Sequence, residues 1–311
     1  MYKKIFPALF LPFFLAVQAL AQADPLLISR TIYEFPSWEK ASESTDVEKF
    51  YAIESEYRKA VSDKRFRFEK IRYRSDGLSV VAYIYGPKGE KAWNRPVIVF
   101  NRGSYIRGDI APEHIAMFNR LADAGFTIVA PLYRGSDGGE GRDELGGADL
   151  NDLMNIVPVI REIGWSDKNL FLYGESRGGM MVFQAIRDGF PARAAATFGA
   201  FTDLEEMGRG PQGEAMARAI WPDFEKKRAE IIERRSAILW PEKLKVPLLL
   251  MHGGKDQSVA VNQTLRLSSE LSKSDLEFGV TVFPGADHTI SGSREERDRH
   301  AVEFFRRFLV K

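Results

Sequence analysis

Between positions 170 and 179 an apolar run, Leu170-Phe171-Leu172-Tyr173, ends on Gly174-Glu175-Ser176-Arg177-Gly178-Gly179, and a stretch rich in small and apolar residues follows. This Gly-x-Ser-x-Gly pattern reads as a strand that bends sharply into a helix with a serine raised on the bend. The bend restricts what can surround it, because side chains at Gly174 and Gly178 would collide with neighbouring backbone.

The chain on either side supplies a matching pattern. Within 46–61 the apolar spacing predicts an amphipathic helix. Residues 66–74 and 78–85 alternate around Ser75-Asp76-Gly77 and predict an antiparallel hairpin. Short apolar, β-branched runs then recur at 96–100, 127–130, 169–173, 194–198, 247–251 and 277–283. Helical patterns occupy 112–124, 149–163, 178–188, 261–272 and 294–310. Such alternation predicts an α/β fold, a mostly parallel sheet with helices on both faces. The stretch 202–240 carries no strand pattern and is rich in Glu, Lys, Arg, Ala and Trp. A helical insertion is expected there, over the strand ends where open sheets bind ligands. The expected organisation is a leader at 1–23, a helix and hairpin within 24–90, and a catalytic domain over 91–311.

The leader is expected because Lys3 and Lys4 precede an apolar run from Ile5 to about Leu20, with Ala19, Ala21 and Ala23 after it. That is the plan of a cleavable secretory signal, so a periplasmic or secreted protein with no lasting membrane insertion is expected. A spanning helix fits less well, since it wants about 20 apolar residues and this run is shorter and holds Pro7 and Pro12. Cysteine is absent, which removes disulfides, thiolate metal sites and a cysteine nucleophile. Lysine plus arginine number 44 against 43 aspartate plus glutamate, so no positive excess exists to hold nucleic acid or an anionic surface.

Ser176 is the expected nucleophile, with the helix behind it offering amides and dipole to a developing oxyanion; the plainer alternative is a glycine-bearing turn capped by serine. In an α/β-hydrolase the acid and then the histidine follow the serine along the chain. Three histidines do. His300 falls in the last helical pattern and reads as packing, and His252 ends a strand and reads as structural. His288, in Phe283-Pro284-Gly285-Ala286-Asp287-His288-Thr289, lies in a loop that can bring an imidazole to the bend. Asp256, freed to face inward by Gly253 and Gly254, is the expected orienter. Asp287 is its rival, but adjacent residues on an extended loop point apart. His288 would then move the proton while Asp256 fixes its tautomer and stabilises its charged form.

Four stretches together resemble the catalytic domain of the prolyl oligopeptidase family of serine peptidases, within the α/β-hydrolases. They are Tyr133-Arg134-Gly135-Ser136 with the glycine-rich run to Gly147 and Asn151-Asp152, then 174–179, 252–256 and 285–288. The resemblance covers the chain from about Pro96 onward and implies the same triad. It departs from the family in two ways. Members typically carry a large β-propeller ahead of the catalytic domain, and only about 70 residues separate the expected signal from the sheet here. Relatives also often show His-Gly-Gly or a tyrosine where this chain has Asn101-Arg102-Gly103-Ser104. The Arg177 amide is the expected first oxyanion donor. The second is either the Asn101 side chain or an amide of the 101–103 turn.

Hydrolysis of a peptide or amide bond is the activity the family implies. An esterase using the same triad, and a binding protein that has kept the fold without the chemistry, are the competing readings. Arg102, Tyr133 and Trp221 are expected to face a small peptide or ester substrate. Arg102, Arg107, Arg134 and Arg177 together suggest an acidic substrate group, unless they pair with nearby carboxylates. The insertion aromatics Trp221, Phe224 and Trp240 would either line an acyl pocket or anchor the insertion. No metal or cofactor is expected, since the histidines are scattered and no Gly-x-Gly-x-x-Gly follows a strand.

Overall fold

The computed structural model describes residues 25–42, 54–89, 95–103, 110, 112–207 and 210–311. The expected signal segment, the first part of the expected 46–61 helix, and Ser104 and Arg107 lie outside them. The strands are β1 (Leu27–Ile32), β2 (Phe66–Ser75), β3 (Leu78–Pro87), β4 (Val97–Asn101), β5 (Thr127–Pro131), β6 (Leu170–Glu175), β7 (Ala194–Phe198), β8 (Leu248–Gly253) and β9 (Phe278–Phe283). The helices are α1 (Trp38–Ala41), α2 (Glu54–Ser62), α3 (Pro112–Asp123), α4 (Leu150–Met154), α5 (Ile156–Glu162), α6 (Arg177–Arg187), α7 (Leu204–Met207), α8 (Gly210–Ile220), α9 (Phe224–Arg235), α10 (Asn262–Leu271) and α11 (Arg294–Arg306).

All nine strands form one sheet in the order β1-β2-β3-β5-β4-β6-β7-β8-β9, so the described residues hold no β-propeller. β1, β2 and β3 run antiparallel to their neighbours, and the six strands from β5 to β9 are parallel. This is the mixed α/β sheet flanked by helices that the pattern predicts. Every residue of β4, β5, β6, β7 and β8 is buried, which is why these strands read as unbroken apolar runs. One face packs on α4, α5, α6 and the helices between β7 and β8, and the other on α3 and α11.

The hairpin closes with Ser75 opposite Leu78, so Asp76 and Gly77 alone form the turn. Both have positive φ, 50° and 82°, the primed geometry that suits the twist of paired strands. β1 has no counterpart in the sequence pattern. It is an edge strand that leaves Ile28 and Ile32 exposed, and it is fixed by backbone pairing and by Arg30 on Glu69, so no alternation marks it. The single helix expected over 149–163 is two, α4 and α5, meeting at Asn155. Pro158 explains the break, since it lacks the N–H that would bond Met154 and its ring crowds that carbonyl. Among the described residues no helix is long and apolar enough to cross a membrane.

Strand order reverses around β4, which lies between β5 and β6 although β5 follows it in sequence. The connections leaving β4 and β6 therefore diverge to opposite faces and open a crevice at their carboxyl ends. Asn101 pairs with Gly174 across that point.

Candidate active site

Ser176 follows β6 and opens α6 with φ 50° and ψ −117°, a conformation that costs a non-glycine residue about 1–3 kcal/mol. The surroundings hold it there. Its N–H donates to the Phe198 carbonyl at 2.9 Å, and its carbonyl accepts from Gly179 N–H at 2.9 Å. The glycines leave room for this bend. A side-chain carbon on Gly174 would stand 2.5 Å from the Gly178 carbonyl oxygen, and one on Gly178 would overlap the Asn101 carbonyl. From Leu170 to Gly179 only Ser176 is not buried.

Asp256 and His288 come from the loops after β8 and β9, which touch backbone to backbone. Gly254 N–H donates to the Phe283 carbonyl at 2.7 Å and Lys255 N–H to the Ala286 carbonyl at 2.9 Å. A side chain at Gly253 would strike the Asp287 and Ala286 carbonyls, so the two glycines serve this approach. His288 Nδ1 lies 2.7 Å from Asp256 Oδ2. The other carboxylate oxygen accepts from the Ser258 and Val259 amides at 2.8 and 2.9 Å. His252 closes the carboxylate from behind. Its Nε2 faces both Asp256 Oδ2 at 3.0 Å and the Val259 carbonyl at 2.9 Å, so that nitrogen carries the proton, and Thr264 hydroxyl donates to its Nδ1.

Burial alone would raise the Asp256 carboxyl, but bonds from His252 and His288, the His288 charge and the Val259 amide hold it well below the usual carboxylate range. His288 moves the other way. Burial favours its neutral form, yet the Asp256 bond and charge, with Glu175 and Asp287 beyond, lift it above the ordinary histidine value. Asp287 does not orient the ring, because its carboxylate is taken by the Ser291 amide and hydroxyl. His300 packs on Phe283.

The imidazole packs against the end of β7, the strand that also holds the Ser176 amide. Gly199 has φ 57°, and a side chain there would stand 3.1 Å from His288 Nδ1 and Cε1; the preceding residue, Phe198, holds the Ser176 amide. Ser176 Oγ and His288 share no hydrogen bond in this conformation.

Several expectations about the surroundings are corrected. Asn101 is fully buried. Its amide nitrogen donates to the Val99 carbonyl at 3.1 Å and its oxygen accepts from Tyr133 hydroxyl at 3.2 Å, so its side chain is turned away from Ser176. The turn beyond it is better placed, for a side-chain carbon at Gly103 would lie 3.3 Å from Ser176 Cβ. Arg102 is 2% exposed and donates to the Gly103 and Leu132 carbonyls and to Ser136. Tyr133 is fully buried between the guanidinium groups of Arg102 and Arg177. Both side chains are turned into the fold. Arg177 grips Asp143 at 2.6 Å through two nitrogens and Asp149 at 2.7 Å, and Arg134 binds Asp152 and Asp76. Arg134 and Arg177 are thus paired with carboxylates within the fold and Arg102 with carbonyls and a hydroxyl, so these three lend no support to an acidic substrate group; Arg107 lies outside the described residues.

Trp221 is buried too. Its Nε1 donates to the Glu144 carbonyl, and Arg235 covers its ring. Trp240 donates to the Glu233 carbonyl beneath Arg187. These aromatics pin the insertion to the domain. A cavity of about 450 Å³ beside Trp221, Arg142 and Glu230 touches none of Ser176, Asp256 and His288, so volume is no guide to the chemistry here. Because Arg177 neutralises Asp149, whose side chain is fully buried, Arg177→Met should lower stability by about 3–5 kcal/mol in urea denaturation.

The prolyl oligopeptidase family model matches residues 114–311. The uncharacterized peptidase YtmA of Bacillus subtilis is 29% identical over 210 residues, covering 67% of this chain and 80% of that one. Among solved structures, the acylaminoacyl peptidase of Pyrococcus horikoshii superposes with a TM-score of 0.64 at 22% identity, over 80% of this chain and 43% of that one. A puromycin-hydrolyzing peptidase of Mycobacterium tuberculosis gives 0.64 at 22%, over 77% and 39%. The chain thus spans less than half the length of these two solved relatives.

Proposed function

Because the chain belongs to the prolyl oligopeptidase family of peptidases, we propose that it is a serine peptidase that cleaves amide bonds by acyl transfer through Ser176. What supports this reading is the Asp256–His288 contact at 2.7 Å, with the Asp256 side chain fully buried, together with a serine held at positive φ on the elbow.

The chemistry follows from those positions. Ser176 Oγ attacks the carbonyl carbon as His288 Nε2 takes its proton, and Asp256 stabilises the resulting imidazolium. The oxyanion is met by the Arg177 amide at the start of α6, where the helix ladder has not begun, and by an amide of the 101–103 turn. His288 then passes the proton to the leaving amine, and water releases the acyl group by the same steps in reverse order. Short peptides and acylated aminoacyl amides are the substrates that the named relatives suggest.

Turnover of acyl-aminoacyl anilides and of simple acyl esters by the purified protein separates the peptidase from an esterase. Measurable anilide cleavage is expected, and vigorous ester cleavage with none of anilides would overturn the peptidase reading. Labelling of Ser176 by a fluorophosphonate is expected as well; a folded protein that never labels would favour the binding reading.

The pH dependence has a definite sign. His288 must be neutral to accept the serine proton, and its proton affinity is raised by Asp256. The acid limb of kcat/KM should therefore fall above pH 6.5, the ordinary histidine value, with activity lost as pH drops through it.

A further inference from the structure

Glu175 stands next to the nucleophile in the elbow, yet the mechanism above makes no use of it. Its carboxylate is buried, and Oε2 lies 2.7 Å from His114 Nε2 on α3. Gly103 shows how close it is to the serine. A side-chain carbon there would meet the Glu175 carboxyl carbon and Ser176 Cβ, each at 3.3 Å, so the two share one neighbour. A buried ionised carboxylate costs several kcal/mol unless it is paired, and an uncharged residue at this variable position of the elbow would avoid that cost.

The charged groups around this carboxylate come from three elements. α3 supplies His114 with Glu113 beside it. α11 supplies Arg297, held by Asp298 and the Thr289 carbonyl and stacked 4.1 Å over Phe198. The loop after β9 supplies His288 with Asp287. Arg102, on the turn after β4, points instead to Leu132 and Ser136.

We propose that Glu175, anchored by His114, is a positioning residue for the catalytic base, whose negative charge strengthens the hold of His288 on the proton it takes from Ser176. The inference rests on the reading of Ser176 and His288 given above. Burial opposes ionisation of Glu175, but the charge and hydrogen bond of His114, with Arg297 and His288 beyond, keep it below the usual carboxylate range. Burial likewise opposes the charged form of His114, and Glu175 outweighs it, lifting His114 above the ordinary histidine value. Glu175 lies opposite Phe198 in the β6–β7 pairing, and a side-chain carbon at the next residue, Gly199, would stand 3.1 Å from the His288 ring, which sets Glu175 at the strand end that meets the imidazole. When His114 holds its proton, the couple as a whole is neutral and spares the oxyanion an uncompensated anion.

The test is the rate of fluorophosphonate labelling of Ser176 against pH, in the wild type and in Glu175→Gln, Glu175→Asp and the double variant His114→Leu/Glu175→Met. Glu175→Gln keeps an acceptor for His114 and removes the charge. Its acid limb should move to lower pH, so that one unit below the wild-type limb it keeps roughly threefold more of its own plateau rate. Glu175→Asp keeps the charge and should leave the limb in place. The double variant replaces a buried ion pair by apolar residues, a change that folds usually tolerate, and should shift the limb as Glu175→Gln does. A folded Glu175→Gln or double variant whose limb stays put or moves up, whatever its plateau, overturns the inference, as does a Glu175→Asp limb that moves as far as that of Glu175→Gln. A wild type that never labels overturns the assignment of Ser176, and the inference with it.

Discussion

Ser176→Ala should lower amide hydrolysis by roughly 10,000-fold or more, with thermal unfolding close to that of the wild type. Alanine fits the space that serine occupies and inherits the same strained backbone, so the fold has little reason to respond. Only the nucleophile is lost. Asp256→Asn should approach the same loss by a different route, because an amide facing His288 Nδ1 no longer enforces the tautomer that leaves Nε2 free to accept a proton. Kinetics on an activated anilide, alongside a melting curve, measure both. A Ser176→Ala protein that retained a tenth of wild-type turnover would end the acyl-enzyme account.

Gly178→Ala should be among the most damaging single-methyl additions at the described glycines. The added carbon would overlap the Asn101 carbonyl and come 2.8 Å from that of Arg102, and both are backbone atoms of a central strand and its turn. Neither can yield without breaking the β4–β6 register that sets Asn101 opposite Gly174. The expected loss exceeds about 4 kcal/mol, enough to leave little folded protein. Gly292→Ala is the matched comparison, since a carbon there meets nothing within 4 Å, and its change should stay within about 0.5 kcal/mol. Urea denaturation of both variants decides the matter, and a well-folded Gly178→Ala protein would show that the elbow does not need its second glycine.

What could be read in advance followed local rules. The buried parallel strands are continuous apolar runs, the hairpin turn is Asp-Gly, and Ser176, Asp256 and His288 each stand in a loop just past a strand. Those signals lie within a few residues of one another, and the fold places them as they suggest. The misreadings share a different cause. Asn101, Arg102, Tyr133 and Trp221 all sit near the catalytic end of the sheet in sequence terms, but proximity does not say which way a side chain turns. Arg102 and Arg177 turn inward because Asp143 and Asp149, more than 25 residues away from Arg177, are there to receive them or lie close by. Such pairings are set by tertiary packing and leave no periodic trace. The His114–Glu175 couple escaped notice for the same reason, as its members are separated by 61 positions. The one hint was a carboxylate at the variable position of the elbow, where burial is nearly certain. His252 offered a better clue, four residues before Asp256 at the end of a buried strand, and its structural role is to grip the very carboxylate that orients the base.

The order of the strands also governs when this protein acquires the power to cut. Among the described residues β9 is the outermost of the parallel set and pairs with β8 alone, and the loop carrying His288 leaves its far end. A ribosome that has released the serine and even the aspartate has still produced a harmless polypeptide. With His288 as the base, chains truncated before position 288 are expected to be inert.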